Sequence, residues 1–192
     1  MSDTVSNYVA SLNVLERAIR GTDPEAWDNP SPCEQWTARC VAGHAMTFIR
    51  NVVALAGDGP APDFHALVDF AAVAGPDPNV TWTATRALIE EELLTNATKL
   101  DKVVMTPLGV DLRVEEFLAF QGMDPVVHGW DIARAGGIEL EIDPALAASY
   151  QARFEPFQND IRAAGLLGPR VEVEDDADPV AQLLAFCGRD PR

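Results

Sequence analysis

Two histidines and one aspartate are spaced so that they could bind a metal ion together. His128 follows Asp124 by four residues, a spacing that places both side chains on one helical face, roughly 5–6 Å apart at Cβ. His44 lies on the apolar face of an earlier segment and would approach from a second helix. Two imidazoles and a carboxylate suit zinc, nickel or iron, and the missing fourth ligand leaves a position for water or substrate.

Each of these residues also has a simpler interpretation. A histidine on an apolar helical face, such as His44, is more often a hydrogen-bonded core residue. Asp124 precedes Pro125, and Asp-Pro is a typical start of a helix in which the carboxylate caps backbone N–H groups. If the helix continues instead, Pro125 removes one hydrogen bond and kinks it. Asp131, one turn after His128, is a candidate to hold the second nitrogen of an imidazole.

The cysteines do not form a recognisable zinc motif. Cys33, Cys40 and His44 are separated by six and three residues, which is not the spacing of a structural zinc site. We expect Cys40 and Cys187 to be buried as small apolar residues. An odd number of cysteines in a chain of this length favours free thiols.

The tryptophans and arginines are weaker candidates for functional residues. Trp36, Trp82 and Trp130 are expected to anchor the core or loops. Arg50 and Arg134 could bind a substrate carboxylate, although surface salt bridges are the commoner role for such residues.

Helical periodicity dominates the pattern. Apolar residues recur at steps of three and four in segments 5–19, 41–55, 82–100 and 114–135, with Thr37 as the N-cap of the second helix. Residues 60–79 contain four prolines and predict a long connection with one or two helical turns. Branched residues around Pro107-Leu108-Gly109 predict a hairpin over 102–113.

Two further helices are expected after this core. Asp143-Pro144 predicts a helix towards Gly165, and Asp178-Pro179 predicts another near the end. The pattern as a whole predicts an all-α protein: an antiparallel four-helix bundle, with helices of roughly 18–22 residues, a small hairpin between helices three and four, and a short C-terminal helical appendage. We expect a single domain over 1–192, with the bundle core in 1–137 and residues 138–192 packed on it.

Charge and hydropathy exclude several classes of function. With 14 Lys and Arg against 30 Asp and Glu, the net charge of −16 disfavours binding to nucleic acid or to anionic membranes. No segment approaches the roughly 20 apolar residues needed to span a bilayer, and the N-terminus does not resemble a signal peptide. We therefore expect a cytoplasmic protein.

Three segments resemble a known family. PSPCEQWT at residues 30–37, with Gly43-His44 after it, resembles the start of the second helix in the DinB-like superfamily, in the branch named for mycothiol-dependent maleylpyruvate isomerase. VVHGWDIARA at residues 126–135 resembles the second histidine motif of that branch. LLAFCGRDP at residues 183–191 is similar to its usual tail.

The resemblance implies a four-helix bundle that holds a divalent metal, usually zinc or nickel, through three side chains. These side chains fall on His44, Asp124 and His128. Members commonly have glutamate where this chain has Asp124, and the shorter side chain puts the affinity for metal in question. The isomerase itself carries a further C-terminal α/β domain, whereas only about 55 residues follow Gly137 here. Isomerisation of maleylpyruvate is therefore not implied.

Two functional hypotheses follow, and a third applies if the protein binds no metal. In the first, the metal lowers the pKa of a low-molecular-weight thiol, mycothiol or a similar one, which reacts with an electrophilic substrate in a transfer or isomerisation. In the second, the protein is a non-catalytic metal-binding, sensor or interaction protein. A structural bundle without metal is the third, if Asp124 only caps a helix. Such bundles often dimerise, so a homodimer is also expected.

Overall fold

A computed structural model describes residues 2–64, 66–107 and 109–192 of the chain, and these residues are mostly helical. They divide into two compact units, residues 1–139 and 140–192. The α-helices of the first unit are α1 Asp3–Gly21, α2 Ala38–Ala56, α3 Phe70–Ala74, α4 Pro78–Ile89, α5 Ala97–Asp101, α6 Val114–Gln121 and α7 Met123–Gly136. The prediction of a predominantly helical protein is confirmed.

The first two helices cover the segments 5–19 and 41–55 in which the sequence predicts them. Each has 19 residues. Ser2 Oγ accepts a hydrogen bond from the Val5 N–H and caps α1. Thr37 Oγ1 accepts one from the Cys40 N–H at 3.3 Å and caps α2, as expected for a threonine before an apolar helix. Gly57 follows the last residue of α2.

The third predicted helix, over 82–100, is interrupted. After α4 the chain makes a π-helical turn at Glu90–Leu94, and α5 then begins separately. Asn96 causes this restart, since its side chain accepts a hydrogen bond from the Lys99 N–H at 3.2 Å. Asparagine competes for backbone hydrogen bonds in this way and favours helix starts over helix interiors. The expectation of one long helix is therefore wrong at this point.

The fourth predicted helix is divided at Gly122, between α6 and α7. Pro125 has no N–H to donate to the Gln121 carbonyl, so the regular ladder cannot cross this point. Gly122 itself keeps helical dihedral angles of φ −69° and ψ −19°. No side chain caps α7 among the described residues, so the interpretation of Asp124 as an N-cap is wrong.

The connections follow the predictions. Strands β1 Val103–Met105 and β2 Asp111–Arg113 pair antiparallel with Val104 opposite Leu112, which confirms the hairpin. Leu108, predicted in its turn, lies outside the described residues. The short helix α3 accounts for the helical turns expected within 60–79.

Four helices of the first unit contact one another in a closed order. Helix α1 packs on α7, α7 on α2, α2 on α4, and α4 on α1. Gly129 lets α1 and α7 approach closely, because a Cβ there would lie 3.2–3.3 Å from atoms of Val14 and Leu15. Asn29 connects the segment before α2 to α7, because its side-chain amide donates to the Ala135 carbonyl at 3.0 Å.

The second unit contains the remaining helices, α8 Pro144–Phe154, α9 Gln158–Ala163 and α10 Pro179–Phe186. Asp143 and Asp178 cap α8 and α10 through their carboxylates, as predicted from the two Asp-Pro pairs. Helix α8 packs against α10. The single-domain organisation expected from the sequence stays a prediction.

Among the described residues there is no disulfide bond at Cys33, Cys40 or Cys187. Among the described residues, no helix combines the length and the apolar character that crossing a bilayer requires.

Candidate metal centre

The structure brings the three predicted ligand side chains together. His44 projects from the second turn of α2, and Asp124 and His128 project from successive turns of α7. Asp124 Oδ1 lies 3.6 Å from His44 Nε2 and 3.3 Å from His128 Nε2. One ligand atom from each of the three residues lies within 4.8 Å of the others. One carboxylate oxygen therefore stands between two imidazole nitrogens that belong to different helices.

These separations fit a shared cation. Two ligands at roughly 2.0–2.2 Å from a tetrahedral ion stand about 3.3–3.6 Å apart, a range that includes both observed N···O distances. Charge-assisted hydrogen bonds between a nitrogen cation and a carboxylate are shorter, roughly 2.7–2.9 Å. Imidazole and carboxylate donors are also the chemical types that zinc and nickel accept. The residues present thus fit a divalent metal.

His128 is held by a second carboxylate. Its Nδ1 donates to Asp131 Oδ2 at 2.9 Å, and Asp131 is fully buried on the same helix. Because a carboxylate can only accept, the proton of the ring stays on Nδ1 and the lone pair of neutral His128 lies on Nε2, towards Asp124. The sequence predicts this role for Asp131, and the hydrogen bond confirms it.

The acidic neighbours also change the proton affinities. Burial opposes a charge on His128, but Asp124 and Asp131 outweigh it and raise the pKa of His128 to about 9. Burial likewise opposes a charge on Asp124, but His128 and His44 outweigh it and hold the pKa of that carboxyl far below its ordinary range. Without metal, Asp124 and His128 thus form an ion pair at neutral pH, and a metal ion must displace the proton from His128.

His44 has a different environment, made of aromatic rings. The ring centroid of His44 is 4.8 Å from Trp36, 4.5 Å from Phe48 and 5.1 Å from Phe70. We call these three side chains the aromatic wall, and each of them is only half-buried. His44 Nδ1 is buried without a hydrogen-bond partner among the described residues. Ring packing, and not a hydrogen bond from Nδ1, therefore holds this imidazole.

Gly43 seats one part of the aromatic wall. A Cβ at Gly43 would lie 1.8 Å from the Phe70 carbonyl oxygen, so only glycine allows the backbone of α3 to rest against α2 here. The residue before the candidate ligand His44 is thus small for a steric reason, and that contact places the Phe70 ring beside the imidazole.

A tightly bonded loop seats Trp36. The Trp36 carbonyl accepts hydrogen bonds from both the N–H and the hydroxyl of Ser31, each at 2.9 Å. The Trp36 N–H donates to the Cys33 carbonyl at 3.1 Å. Gln35 takes a φ of 68°, a left-handed conformation that is costly for a residue with a Cβ. In this loop conformation the indole lies beside both histidines.

The aromatic wall is only partly predictable from the sequence. Trp36 is expected to anchor the core or a loop, whereas its indole centroid lies within 6.4 Å of both imidazole centroids. Phe48 has a sequence signal, since it follows His44 by four residues on one helical face. Phe70 has no such signal, because only the close approach at Gly43 brings α3 to the site.

The other candidate residues make contacts of their own. Arg50 Nε donates to Thr85 Oγ1 at 2.9 Å, and the Arg134 guanidinium lies 5.5 Å from the centre of the Trp130 ring. Cys40 Sγ accepts a hydrogen bond from Thr37 Oγ1 at 3.4 Å. None of these residues belongs to the three-residue metal cluster.

Comparisons with known proteins show one matching family and two similar proteins. Residues 9–133, which include all three candidate ligands, match the family model described as mycothiol maleylpyruvate isomerase N-terminal domain. Two uncharacterised proteins of Mycobacterium tuberculosis, from strains CDC 1551 / Oshkosh and ATCC 25618 / H37Rv, are each 25% identical to this chain, over 85% of it and 85% of their own length. No solved structure matches the chain.

Proposed function

Because the chain belongs to the mycothiol maleylpyruvate isomerase N-terminal domain family, we propose that it binds a divalent metal, zinc or nickel, through His44, Asp124 and His128. We propose further that the bound metal serves a transferase or isomerase reaction that depends on a low-molecular-weight thiol, such as mycothiol, and on an electrophilic substrate. The observation that carries the proposal is the single carboxylate oxygen 3.3 and 3.6 Å from two imidazole nitrogens.

The metal would supply charge, which lowers the pKa of a coordinating thiol and polarises a carbonyl. The side chains of the protein have separate tasks. Asp131 keeps the proton of neutral His128 on Nδ1, so that Nε2 is available as a ligand. Asp124 would supply a negative charge that offsets part of the charge of a divalent ion. The aromatic wall packs on His44 and reduces the water around it. Three protein ligands leave a coordination position for the thiol.

The closed contact order of α1, α7, α2 and α4 supports the four-helix bundle of the DinB-like superfamily. In such a bundle, facing helices supply ligands to a site between them. Helices α2 and α7 are in contact, and they carry His44 on one side and Asp124 and His128 on the other.

A cytoplasmic setting fits the thiol chemistry. The three cysteines form no disulfide bond among the described residues, which is the usual state in a reducing compartment where small thiols also stay reduced. The partners proposed are therefore a small-molecule thiol and an electrophile, without nucleic acid or membrane. A homodimer remains part of the proposal and is tested by sedimentation.

Metal content tests the ligand set. Elemental mass spectrometry of untagged protein, after zinc or nickel loading and dialysis, should give about one equivalent, which His44→Ala and Asp124→Ala should lose. Asp58→Ala is the matched control, because its carboxylate lies on the surface after α2 and should leave the metal in place. Wild-type protein without metal after loading would refute the proposal. Metal retained in Asp124→Ala alone would remove Asp124 from the ligand set.

Thiol binding tests the second part. Cobalt(II) in the same site would report a coordinating thiolate by a charge-transfer absorption band, and mycothiol should produce that band in the wild type. A protein that holds cobalt but gives no band with any small thiol would be a metal-binding protein without thiol chemistry.

A further inference from the structure

The side chains of the aromatic wall are more exposed to solvent than the tryptophans of the core. Trp27 and Trp82 are 2% and 0% exposed, whereas Trp36, Phe48 and Phe70 are all half-buried. All three contact His44. Apolar rings that remain in contact with water beside a candidate metal site are a typical lining of a small-molecule pocket.

Trp36 is the member of the wall that contacts both histidines. Its ring centroid lies 4.8 Å from that of His44 and 6.4 Å from that of His128. The Asp124 side chain between these imidazoles is 28% exposed, so solvent reaches the three-ligand cluster. The indole therefore lies next to the cluster at which the donor atom of a ligand would bind.

The main chain around Trp36 is fixed before any ligand arrives. Ser31 donates twice to the Trp36 carbonyl, Pro30 and Thr37 form a backbone bridge, and Gln35 holds its left-handed conformation between them. Ordering a side chain on binding costs affinity, and a tryptophan on a fixed backbone loses less freedom than one on a mobile loop. The arrangement suits recognition by stacking.

We infer that Trp36 determines ligand specificity at this site, and that it favours ligands with a flat apolar group next to the metal-binding donor over compact aliphatic ligands with the same donor. This inference rests on the proposed metal site and adds the chemical class of the ligand. Stacking on the indole supplies the preference, since aromatic pairs gain free energy beyond the area that they bury.

A pair of thiols with one donor chemistry tests the inference. Cobalt(II)-loaded protein is titrated with phenylmethanethiol and with 2-mercaptoethanol, and the thiolate absorption band gives both dissociation constants. The wild type should bind the aromatic thiol at least about tenfold more tightly. In Trp36→Leu this preference should fall by about five- to tenfold, a size typical of one aromatic contact. Trp36→Phe should restore most of it.

Trp130→Leu is the matched control. Trp130 lies on α7 only two residues after His128, so it points away from the ligand face, and it packs with Arg134 instead. This variant should keep the wild-type preference and should bind cobalt itself within about threefold of the wild type. In Trp36→Leu the preference is the ratio of the two thiol dissociation constants on the same cobalt-loaded protein, so a change in the affinity for cobalt does not enter it. An unchanged preference in Trp36→Leu, or an equal loss in Trp130→Leu, would overturn the inference and leave the metal site intact. A wild type that binds no cobalt would refute the proposed function and the inference with it.

A measurement on the wild type covers the case in which Trp36→Leu does not fold. In zinc-loaded protein with phenylmethanethiol bound, nuclear Overhauser effects should connect the ring protons of the thiol to the Trp36 indole, assigned by comparison with Trp36→Phe. Contacts from the ligand ring to other residues only would contradict the inference.

Discussion

The two histidines of the candidate metal centre are held by opposite means. His128 lies beside two carboxylates, and its Nδ1 donates to the buried Asp131. His44 lies among three aromatic rings, and its Nδ1 has no partner among the described residues. A hydrogen bond fixes both the direction of a ring and the nitrogen that carries its proton, whereas ring packing fixes the direction alone. We call the surroundings of His128 the polar side of the site and those of His44 its aromatic side. Substitutions on the two sides should therefore have different consequences.

The largest effect is expected at the aromatic side, from Gly43→Ala. The new methyl group would overlap the Phe70 carbonyl, so α3 must move away from α2. We expect a loss of about 3 kcal/mol in the free energy of unfolding, at the upper end for overpacking, measured by urea denaturation. The hydrogen bond from His128 to Asp131 should survive.

Gly59→Ala is the matched control, because a Cβ there meets nothing within 4 Å. It should change the free energy of unfolding by less than about 0.5 kcal/mol. Equal losses in the two variants would show that the close approach of α3 to Gly43 does not limit stability.

The next effect is expected at the polar side, from Asp131→Asn. The asparagine amide can donate to Nδ1 and so move the proton of the ring to Nε2, where a metal ligand needs its lone pair. The affinity for zinc should fall by about 10–100-fold, measured by calorimetric titration. Phe48→Leu, on the aromatic side, should change it by less than about threefold. The reverse order would contradict the comparison.

The pH dependence of stability should arise at the polar side. The pKa of His128 is raised from an ordinary 6.5 to about 9, so the ion pair stabilises the metal-free protein fully below pH 6.5 and is lost as the pH rises towards 9. Between pH 6.5 and 8 we expect a loss of about 1–2 kcal/mol in the free energy of unfolding. His128→Gln should abolish this slope, and a slope that persists would assign it to another group.

The smallest effect is expected from Gln35→Gly, in the loop that carries Trp36. Glycine accepts a φ of 68° without the cost that glutamine incurs there, but it also gains freedom in the unfolded chain. The two contributions nearly cancel, so a gain of at most about 0.5 kcal/mol is expected in thermal or urea unfolding. A clear loss would show that the glutamine side chain makes a stabilising contact.

Local signals in the sequence predict the polar side well. The spacing of Asp124, His128 and Asp131 places these side chains on one helical face, and helix geometry alone then brings them together. Thr37, Asp143 and Asp178 mark helix starts because each carries a side-chain oxygen that can cap a backbone N–H.

Two members of the aromatic side, Trp36 and Phe70, depend on contacts that helical periodicity does not encode. Trp36 reaches His44 because its loop folds back at Gln35, and Phe70 reaches it because Gly43 leaves room for a backbone.

The helix breaks at Gly122 and Asn96 are not predicted from the sequence for a different reason. In both places the apolar periodicity continues across the break, while one proline or one asparagine interrupts the backbone hydrogen bonds.

Asn29 connects the two helices that carry the candidate ligands, α2 and α7. Its side-chain amide donates to the Ala135 carbonyl in the last turn of α7, and its own carbonyl accepts from the Ala38 N–H in the first turn of α2. If α2 slid along α7, one of these bonds would have to break. The separation of His44 and His128 therefore also depends on a residue outside the site, which bonds the N-terminal end of α2 and the C-terminal end of α7.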